Sequence, residues 1–368
     1  MAFHQRAPRV ARGLSTRLVR ASATFAVGAA AGYVCTLLRT PIPWMLGPLF
    51  VVAALRVAGA PLDAPLSARH GGQWIIGTSL GLYFTPFVVR HVVDLWWLLL
   101  LGAAFAIALG YVSGVALARL ARCDKTTGIF ASVPGGASEM TILGERFGGR
   151  MDRIAAAQSL RILVVVAIVP GAITAAGVHG SDAYVQGAKT FDAWGFALLM
   201  LLTFAGGVVF QRIRAPNAFV LGALAVAIPL TAMSIDLSMM PPLVSNAGQC
   251  MLGCALASRF QPDFLRGAHR FVVAVAVTVL FSIALSGVFA VAMAWLSGQS
   301  IASLVLGTAP GGMAEMSITA KVLQLGVPLV TAFHVTRIVV LLLLTPVIFP
   351  RARTWYRARV RRQIRTDS

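Results

Sequence analysis

The sequence has few charged residues. Asp, Glu, Lys and Arg make up 12% of its 368 residues, whereas an ordinary soluble domain has about 25%. Apolar residues (AVILMFWYC) account for 58%, and the mean hydropathy is +0.82. So little polar material cannot cover the surface of a soluble globule. We therefore exclude the soluble class and expect an all-α polytopic membrane protein.

Acidic residues are scarcer still, with 12 Asp and Glu against 31 Lys and Arg and a net charge of +19. Such an excess can indicate binding to nucleic acid. Here, however, the basic residues lie in two tails, 1–21 and 351–368, and in short loops between apolar runs. This distribution is typical of positive-inside topology. It predicts that both tails are cytoplasmic and that the protein does not bind nucleic acid directly.

Cysteine and histidine are also few, at four and six residues. Cys250 and Cys254 could share one helix face, but no His or second cysteine pair stands near them at the spacing of a zinc site. The sequence contains no GxxxxGK[ST] loop and nothing that resembles a nucleophile elbow or a catalytic triad. We predict no metal, no cofactor and no enzymatic activity.

The chain contains an internal repeat. Gly, Pro, Glu and Arg match in one register, which chance similarity between apolar segments would not produce. The chain therefore comprises two copies of one unit, 22–180 and 192–350, between the two basic tails. Equivalent positions, 176 apart, include Gly72 and Gly248, Gln73 and Gln249, Pro134 and Pro310, Glu139 and Glu315, and Arg161 and Arg337.

Each copy has six apolar segments, and Pro-Gly-Gly interrupts the fifth. They are predicted at 22–38, 43–59, 72–89, 95–118, 126–148 and 153–178, and at 193–211, 217–232, 243–260, 270–296, 301–325 and 328–349. If the fifth segment, or another one, is re-entrant, each copy has five spans, and the second copy is inverted.

The basic residues favour this inverted arrangement. With the N-terminus inside, 25 of the 31 Lys and Arg lie on the cytoplasmic side. The outer loops hold four, namely Arg39, Arg90, Lys189 and Lys321, and two lie within spans. The sequence thus predicts two inverted repeats, each with about five spanning helices and one broken or re-entrant segment.

Two glutamates and two arginines lie within apolar segments. Glu139 and Glu315 follow the helix breakers, and Arg161 and Arg337 lie in the next segment of each copy. An intramembrane charge costs from about 2.5 to more than about 10 kcal/mol, so each needs a partner or water. The predicted substrate-binding residues are Pro134, Gly135, Gly136, Glu139, Arg161, Pro310, Gly311, Gly312, Glu315 and Arg337.

These residues have two interpretations. The first is a set of neutralised Glu–Arg pairs, within or across the repeats, that lock the two copies together. The second is a central site for a small anionic or cationic solute. His334, which matches Gln158 and lies one turn before Arg337, is either a proton relay or a polar residue satisfied within the helix bundle.

The two PGGxxEM motifs, Pro134–Met140 and Pro310–Met316, are each followed by an arginine in an apolar segment that ends at proline. They resemble the AbrB family of bacterial inner-membrane proteins over nearly the whole chain apart from the tails. The resemblance implies a duplicated hydrophobic unit in the inner (plasma) membrane and a role in regulating gene expression. The composition excludes the soluble DNA-binding regulator of the same name.

Three functions remain open. A secondary transporter in the lipid bilayer would alter gene expression indirectly, through internal solute levels. A membrane-embedded regulator or sensor would need a soluble partner at the basic C-terminal tail. Many family members carry the label of ammonia monooxygenase, but two membrane carboxylates and one membrane His do not supply a copper or iron site. We expect a transporter of a small solute or ion, and the oligomeric state stays open.

Overall fold

The computed structural model describes residues 7–178, 180, 190–260 and 269–344, and within these ranges the chain is helical, without strands. Within the described ranges, six helices are long and apolar enough to cross a membrane. They lie at Arg17–Leu37, Trp96–Leu120, Met151–Ala175, Ala193–Arg212, His269–Ser297 and Val327–Leu344. The coarse prediction of an all-α polytopic membrane protein agrees with this architecture.

The described helices follow the same succession in both copies except at α4 (Pro86–Asp94), whose equivalent positions in the second copy, 262–270, lie mostly outside the described residues. In the first copy they are α1 Ala7–Leu37, α2 Pro43–Val57, α3 Leu66–Gly81, α4 Pro86–Asp94, α5 Trp96–Leu120, α6 Lys125–Ser132, α7 Ala137–Arg146 and α8 Met151–Ala175. In the second they are α9 Ala193–Arg212, α10 Ala218–Ala232, α11 Pro242–Ala257, α12 His269–Ser297, α13 Ile301–Thr308, α14 Met313–Val322 and α15 Val327–Leu344.

Two boundaries differ from the prediction. Helix α1 begins at Ala7, inside the segment predicted as a basic tail. The third segment of the first copy is divided into α3 and the short α4, because Pro86 cannot donate a backbone hydrogen bond and begins a new helix. The C-terminal tail 351–368 and the last residues of the second copy, 345–350, lie outside the described residues.

The interrupted fifth segment of the first copy forms a hairpin of α6 and α7. The backbone N–H of Arg150, which follows α7, donates to Thr127 Oγ1 in the first turn of α6 at 2.8 Å. The start of α6 therefore lies beside the end of α7. The break falls at the tip, where Pro134 lacks an N–H and Gly136 adopts an extended conformation before α7.

The second copy repeats this hairpin with α13 and α14. A methyl group built on Gly326, just after α14, would lie 2.9 Å from Ser303 Oγ in the first turn of α13. Gly326 and Ser303 are the repeat equivalents of Arg150 and Thr127. Both fifth segments thus turn back on themselves, and each copy has five other apolar segments.

Helices α3 and α11, which are repeat equivalents, run antiparallel. Just before α3, the Ala64 N–H donates to Ser258 Oγ, just after α11, at 2.8 Å. Arg56 Nε donates to the carbonyl oxygen of Phe260 at 3.1 Å. The start of α3 therefore lies beside the end of α11.

The equivalent helices α5 and α12 are also antiparallel. The hydroxyls of Ser113 and Ser282 are 2.8 Å apart near the middle of the pair. Towards one end, Arg270 Nε at the start of α12 donates to the carbonyl oxygen of Leu120 at the end of α5, at 3.0 Å.

Helices of one copy pack closely against helices of the other copy. A methyl group built on Gly77 in α3 would lie 2.7 Å from the carbonyl oxygen of Val220 in α10. On its equivalent Gly253, in α11, it would lie 2.6 Å from the carbonyl oxygen of Met45 in α2. Met45 is in turn the equivalent of Val220, 175 positions away. Such contacts require small residues where the backbones approach.

Candidate functional site

The tips of the two hairpins meet at one cavity. Gly135 and Gly136 line it from the first copy, and Gly311 and Gly312 from the second. It offers about 50 Å³ to the centres of water molecules, enough for about three or four of them. Its polar and charged lining residues are Arg69, Gln73, Arg161, Asn217, Arg259, Glu315 and Arg337.

Arg161 holds the broken end of α6. The side chain is 4% exposed, and its Nη1 donates to the carbonyl oxygens of Ser132 and Val133 at 3.1 and 3.0 Å. These carbonyls lack helical partners because the helix stops there. A cation at the carboxyl end of a helix is also favoured by the helix dipole. Gln158, one turn earlier, donates to the carbonyl oxygens of Phe130 and Val133 at 2.7 and 3.1 Å.

Arg337 binds the carbonyl oxygens at the broken end of α13. It donates through Nη1 to the carbonyl oxygen of Ala309 at 3.1 Å and through Nη2 to that of Gly311 at 2.9 Å. His334 Nε2 lies 3.0 Å from the carbonyl oxygen of Leu306. Gln158 contacts the equivalent carbonyl in the first copy. His334 is thus bonded within the bundle through Nε2, while its Nδ1 is buried without a hydrogen-bond partner.

The expected Glu–Arg pairs do not form. The ion pairs within 4.0 Å in the described part of the chain are Arg56–Asp63 and Arg150–Asp152, and neither involves an intramembrane residue. The arginines bind backbone carbonyls instead, because a helix break next to a buried guanidinium exposes several acceptors at the same depth. The interpretation as neutralised, directly paired charges is therefore wrong for this conformation.

Each glutamate lies over the amino end of its own half-helix. Glu139 and Glu315 both occupy the third position of a helix, after Gly136 and Gly312 as N-caps. A methyl group built on either glycine would overlap the carboxylate of the following glutamate. Glu315 is 7% exposed and lines the cavity. Glu139 is half-buried and is not among the lining residues, although its Oε2 is buried without a hydrogen-bond partner.

The two prolines lie at a separate, smaller cavity. Pro134 and Pro310 line it together with Ser132, Ser282 and Thr308. It offers about 10 Å³ to water centres, which is about the space of a single water molecule. The prolines therefore shape the hairpin tips without lining the main cavity.

Four of the polar and charged lining residues are not predicted by the sequence: Arg69, Gln73, Asn217 and Arg259. Arg69 Nη2 and Gln73 Nε2 donate to Asn217 Oδ1 at 3.4 and 3.2 Å. Gln73 matches Gln249 in the repeat. A polar residue repeated within an apolar segment could have identified Gln73 as a candidate site residue. Arg69 and Arg259 are among the 25 basic residues that the sequence places in cytoplasmic loops and tails, but Arg69 lies within α3.

Lys321 was also assigned to a loop, on the outer side, but it lies in the last turn of α14. Its Nζ donates to Ser79 Oγ at 2.7 Å and to Ser245 Oγ at 3.2 Å. These serines lie near the end of α3 and the start of α11. The ammonium group therefore joins α14 to both helices at the end of the α3–α11 pair that lies away from Arg69 and Arg259.

The fold is a duplicated helical bundle, and its two broken hairpins meet at a buried, charged cavity. These features define a class of polytopic membrane protein. A model of the family described as "Transition state regulatory protein AbrB" matches residues 11–353, so the chain belongs to this AbrB family. Among the described residues, no group of three or more His, Cys, Asp or Glu lies together as a metal-ion site would require.

Two curated relatives resemble the chain over most of their length. "Uncharacterized protein YhjN" of Bacillus subtilis (strain 168) is 25% identical over 352 residues, which cover 87% of this chain and 90% of the relative. "Putative regulator AbrB" of Escherichia coli (strain K12) is 22% identical over 310 residues, which cover 84% and 89%. No solved structure matches the chain.

Proposed function

We propose that this protein is a secondary transporter for a small solute or ion, located in the bacterial inner membrane. One observation carries the proposal: the tips of both broken hairpins and two buried arginines line the same cavity. Discontinuous helices in corresponding places of two repeats are typical of secondary transporters, whose site lies near the middle of the membrane at the repeat interface.

The proposal includes ten spans in two inverted repeats, with both termini cytoplasmic. The antiparallel directions of α3 and α11, and of α5 and α12, support it. The hairpins also support the inversion, because each copy then has five other apolar segments, which is an odd number. Helices α2 and α10 have 15 residues each and therefore span about 22 Å, so they need flanking residues or a locally thinner bilayer to cross.

A reporter fusion tests the inversion. Residue 185, which lies outside the described residues, is predicted on the outer side. A reporter active only outside the cytoplasm should work there and fail in a fusion at residue 123, between α5 and α6. Activity at residue 123 and none at residue 185 would overturn the inverted topology.

Transport itself is measured with purified protein in liposomes. The liposomes are given a panel of labelled anions and cations, with and without a proton gradient. Glu315→Gln should lower the rate of uptake by about tenfold or more, because an ionisable side chain within the membrane normally lies on the path of the transported ion or proton. The matched control is Glu145→Gln, the same change at an exposed residue in the last turn of α7, which should leave the rate unchanged. Absence of uptake across the panel contradicts transport.

The alternative is a membrane-embedded regulator or sensor without transport, since the Escherichia coli relative carries the name of a regulator. It predicts a soluble partner at the C-terminal tail. Truncation after Pro350 should then abolish regulation while the protein remains in the membrane. Unchanged regulation after truncation counts against this alternative.

We propose that the protein has no enzymatic activity. The competing monooxygenase function requires a tightly bound copper or iron ion held by converging His or carboxylate ligands. Metal analysis of the purified protein tests it: stoichiometric copper or iron would favour the oxygenase and contradict our proposal.

A further inference from the structure

The cavity at the hairpin tips has a surplus of positive charge. Arg69, Arg161, Arg259 and Arg337 line it, and a guanidinium stays charged in proteins. The nearby acidic groups, Glu315 in the lining and Glu139 beside it, offset half of this charge. Like charges repel strongly where water is scarce, so the arrangement favours a bound anion that relieves the repulsion.

The two carboxylates do not serve the arginines as direct counterions. Each glutamate lies over the N-cap glycine of its own half-helix, where the amino end of a helix attracts a negative charge. Among the described residues, no carboxylate oxygen lies within 4.0 Å of any of the four guanidiniums. The carboxylates therefore lie nearest the half-helix ends, and none of the four guanidiniums has a carboxylate in direct contact.

The deepest arginines retain unused donors. Arg161 and Arg337 are each 4% exposed, and the Nε of each is buried without a hydrogen-bond partner. Their Nη groups hold the carbonyls of the helix breaks in place, so the guanidiniums are fixed before any ligand arrives. Fixed, forked donors suit the oxygen atoms of a carboxylate or an oxyanion.

We propose that the cavity binds a small oxyanion, either a carboxylate or an inorganic oxyanion. Arg161 and Arg337 bind it at the hairpin tips, and Arg69 and Arg259 attract it at the entrance. This inference rests on the proposed function and names the solute class for the same site. The available space limits the ion to a few non-hydrogen atoms in this conformation.

The entrance is asymmetric. Arg69 and Arg259, both half-buried, lie where α3 begins and α11 ends, and their repeat equivalents are Ser245 and Tyr83. The additional cations therefore stand at one end of the cavity only. At the opposite end of the α3–α11 pair, Lys321 is bonded to two serine hydroxyls. In this conformation an anion is attracted from the Arg69 end, which the positive-inside rule assigns to the cytoplasm.

The test is anion-dependent thermal unfolding of the purified full-length protein in detergent. The probes are sodium formate, acetate, phosphate and sulfate. Ionic strength is held constant with sodium Hepes, whose anion is larger than the cavity. A ligand that binds the folded state raises Tm in a saturable, concentration-dependent way. We expect this for at least one of the four anions, and the formate and acetate arms distinguish a carboxylate from an inorganic oxyanion.

The informative variant is Arg69→Gln with Arg259→Gln, since neither side chain holds a helix break. Loss of the two entrance charges should weaken binding of the effective anion by about tenfold. The matched control, Arg119→Gln with Arg212→Gln, removes the same charge from exposed positions at the ends of α5 and α9 and should bind as the native protein does.

Two results overturn the inference: none of the four anions raises Tm, or the entrance variant and the control respond equally. Failure of transport is separable from these. Anion binding that depends on Arg69 and Arg259, without uptake into liposomes, supports the anion site and contradicts the transporter. Uptake of a cation with no anion binding supports the transporter and contradicts the anion site.

Discussion

Arg337→Met should destabilise the protein more than Arg161→Met, although the two residues are repeat equivalents. In native protein, Arg337 is the donor to the carbonyl oxygens of Ala309 and Gly311. His334, on the same helix, contacts Leu306 instead. Methionine has no donor, so the substitution leaves two buried carbonyls unpaired, at about 1 to 3 kcal/mol each.

Arg161→Met leaves one buried carbonyl unpaired. Its Nη1 contacts Ser132 and Val133, but the Val133 carbonyl oxygen also accepts from Gln158 Nε2 at 3.1 Å and from the Gly135 N–H at 2.9 Å. Only the Ser132 carbonyl loses its donor. Both variants recover the cost of burying a guanidinium, and this gain cancels in the comparison because both side chains are 4% exposed.

The difference in the free energy of unfolding should therefore be about 1 to 3 kcal/mol, with Arg337→Met the less stable variant. It is measured by reversible unfolding of both purified variants in mixed micelles of a mild detergent and dodecyl sulfate, followed by circular dichroism. Equal stabilities, or a less stable Arg161→Met variant, would refute the assignment of the carbonyls to their donors.

Four further substitutions test the packing and the hairpin contacts. Gly47→Ala should cost about 1 to 3 kcal/mol, because its methyl group would lie 2.6 Å from the carbonyl oxygen of Ala31 and push α1 away from α2. Gly171→Ala, in α8 with open space around it, should be neutral or stabilising by up to about 1 kcal/mol. If the thermal melts of Gly47→Ala and Gly171→Ala coincide, the expected difference between a tight and an open glycine position is contradicted. His334→Gln should retain near-native stability, since Gln158 makes the equivalent contact, whereas His334→Leu should lower Tm; equal losses would disprove the shared role.

Much of the fold could be predicted from local patterns. Hydropathy placed α5, α8, α9 and α12 nearly at their observed bounds, because a membrane-spanning helix must be apolar along its own length. The breaks also followed from the sequence, since Pro and Gly interrupt a helix wherever they occur within it. The division after α3 was missed because Pro86 lies inside an otherwise continuous apolar run.

The site was predicted less completely. Arg161, Arg337 and Glu315 were found as charges inside apolar segments, and they do meet at one cavity. Arg69 and Arg259 were not found, because a basic residue at a segment end equally indicates cytoplasmic topology. The partners of the arginines were also missed, since charge complementarity favoured glutamate, whereas the broken helices supply nearer carbonyl acceptors.

The sequence by itself determined the membrane class, the duplication and the positions of the helix breaks, because each depends on residues close together in the chain or on a match in register. The tertiary structure decided which charges share a cavity and what each arginine binds. Those outcomes depend on the folding back of two hairpins and on the packing of segments from both copies, which bring together residues as distant as Arg69 and Arg337. Distances between such segments are set by helix packing, and no local pattern encodes them.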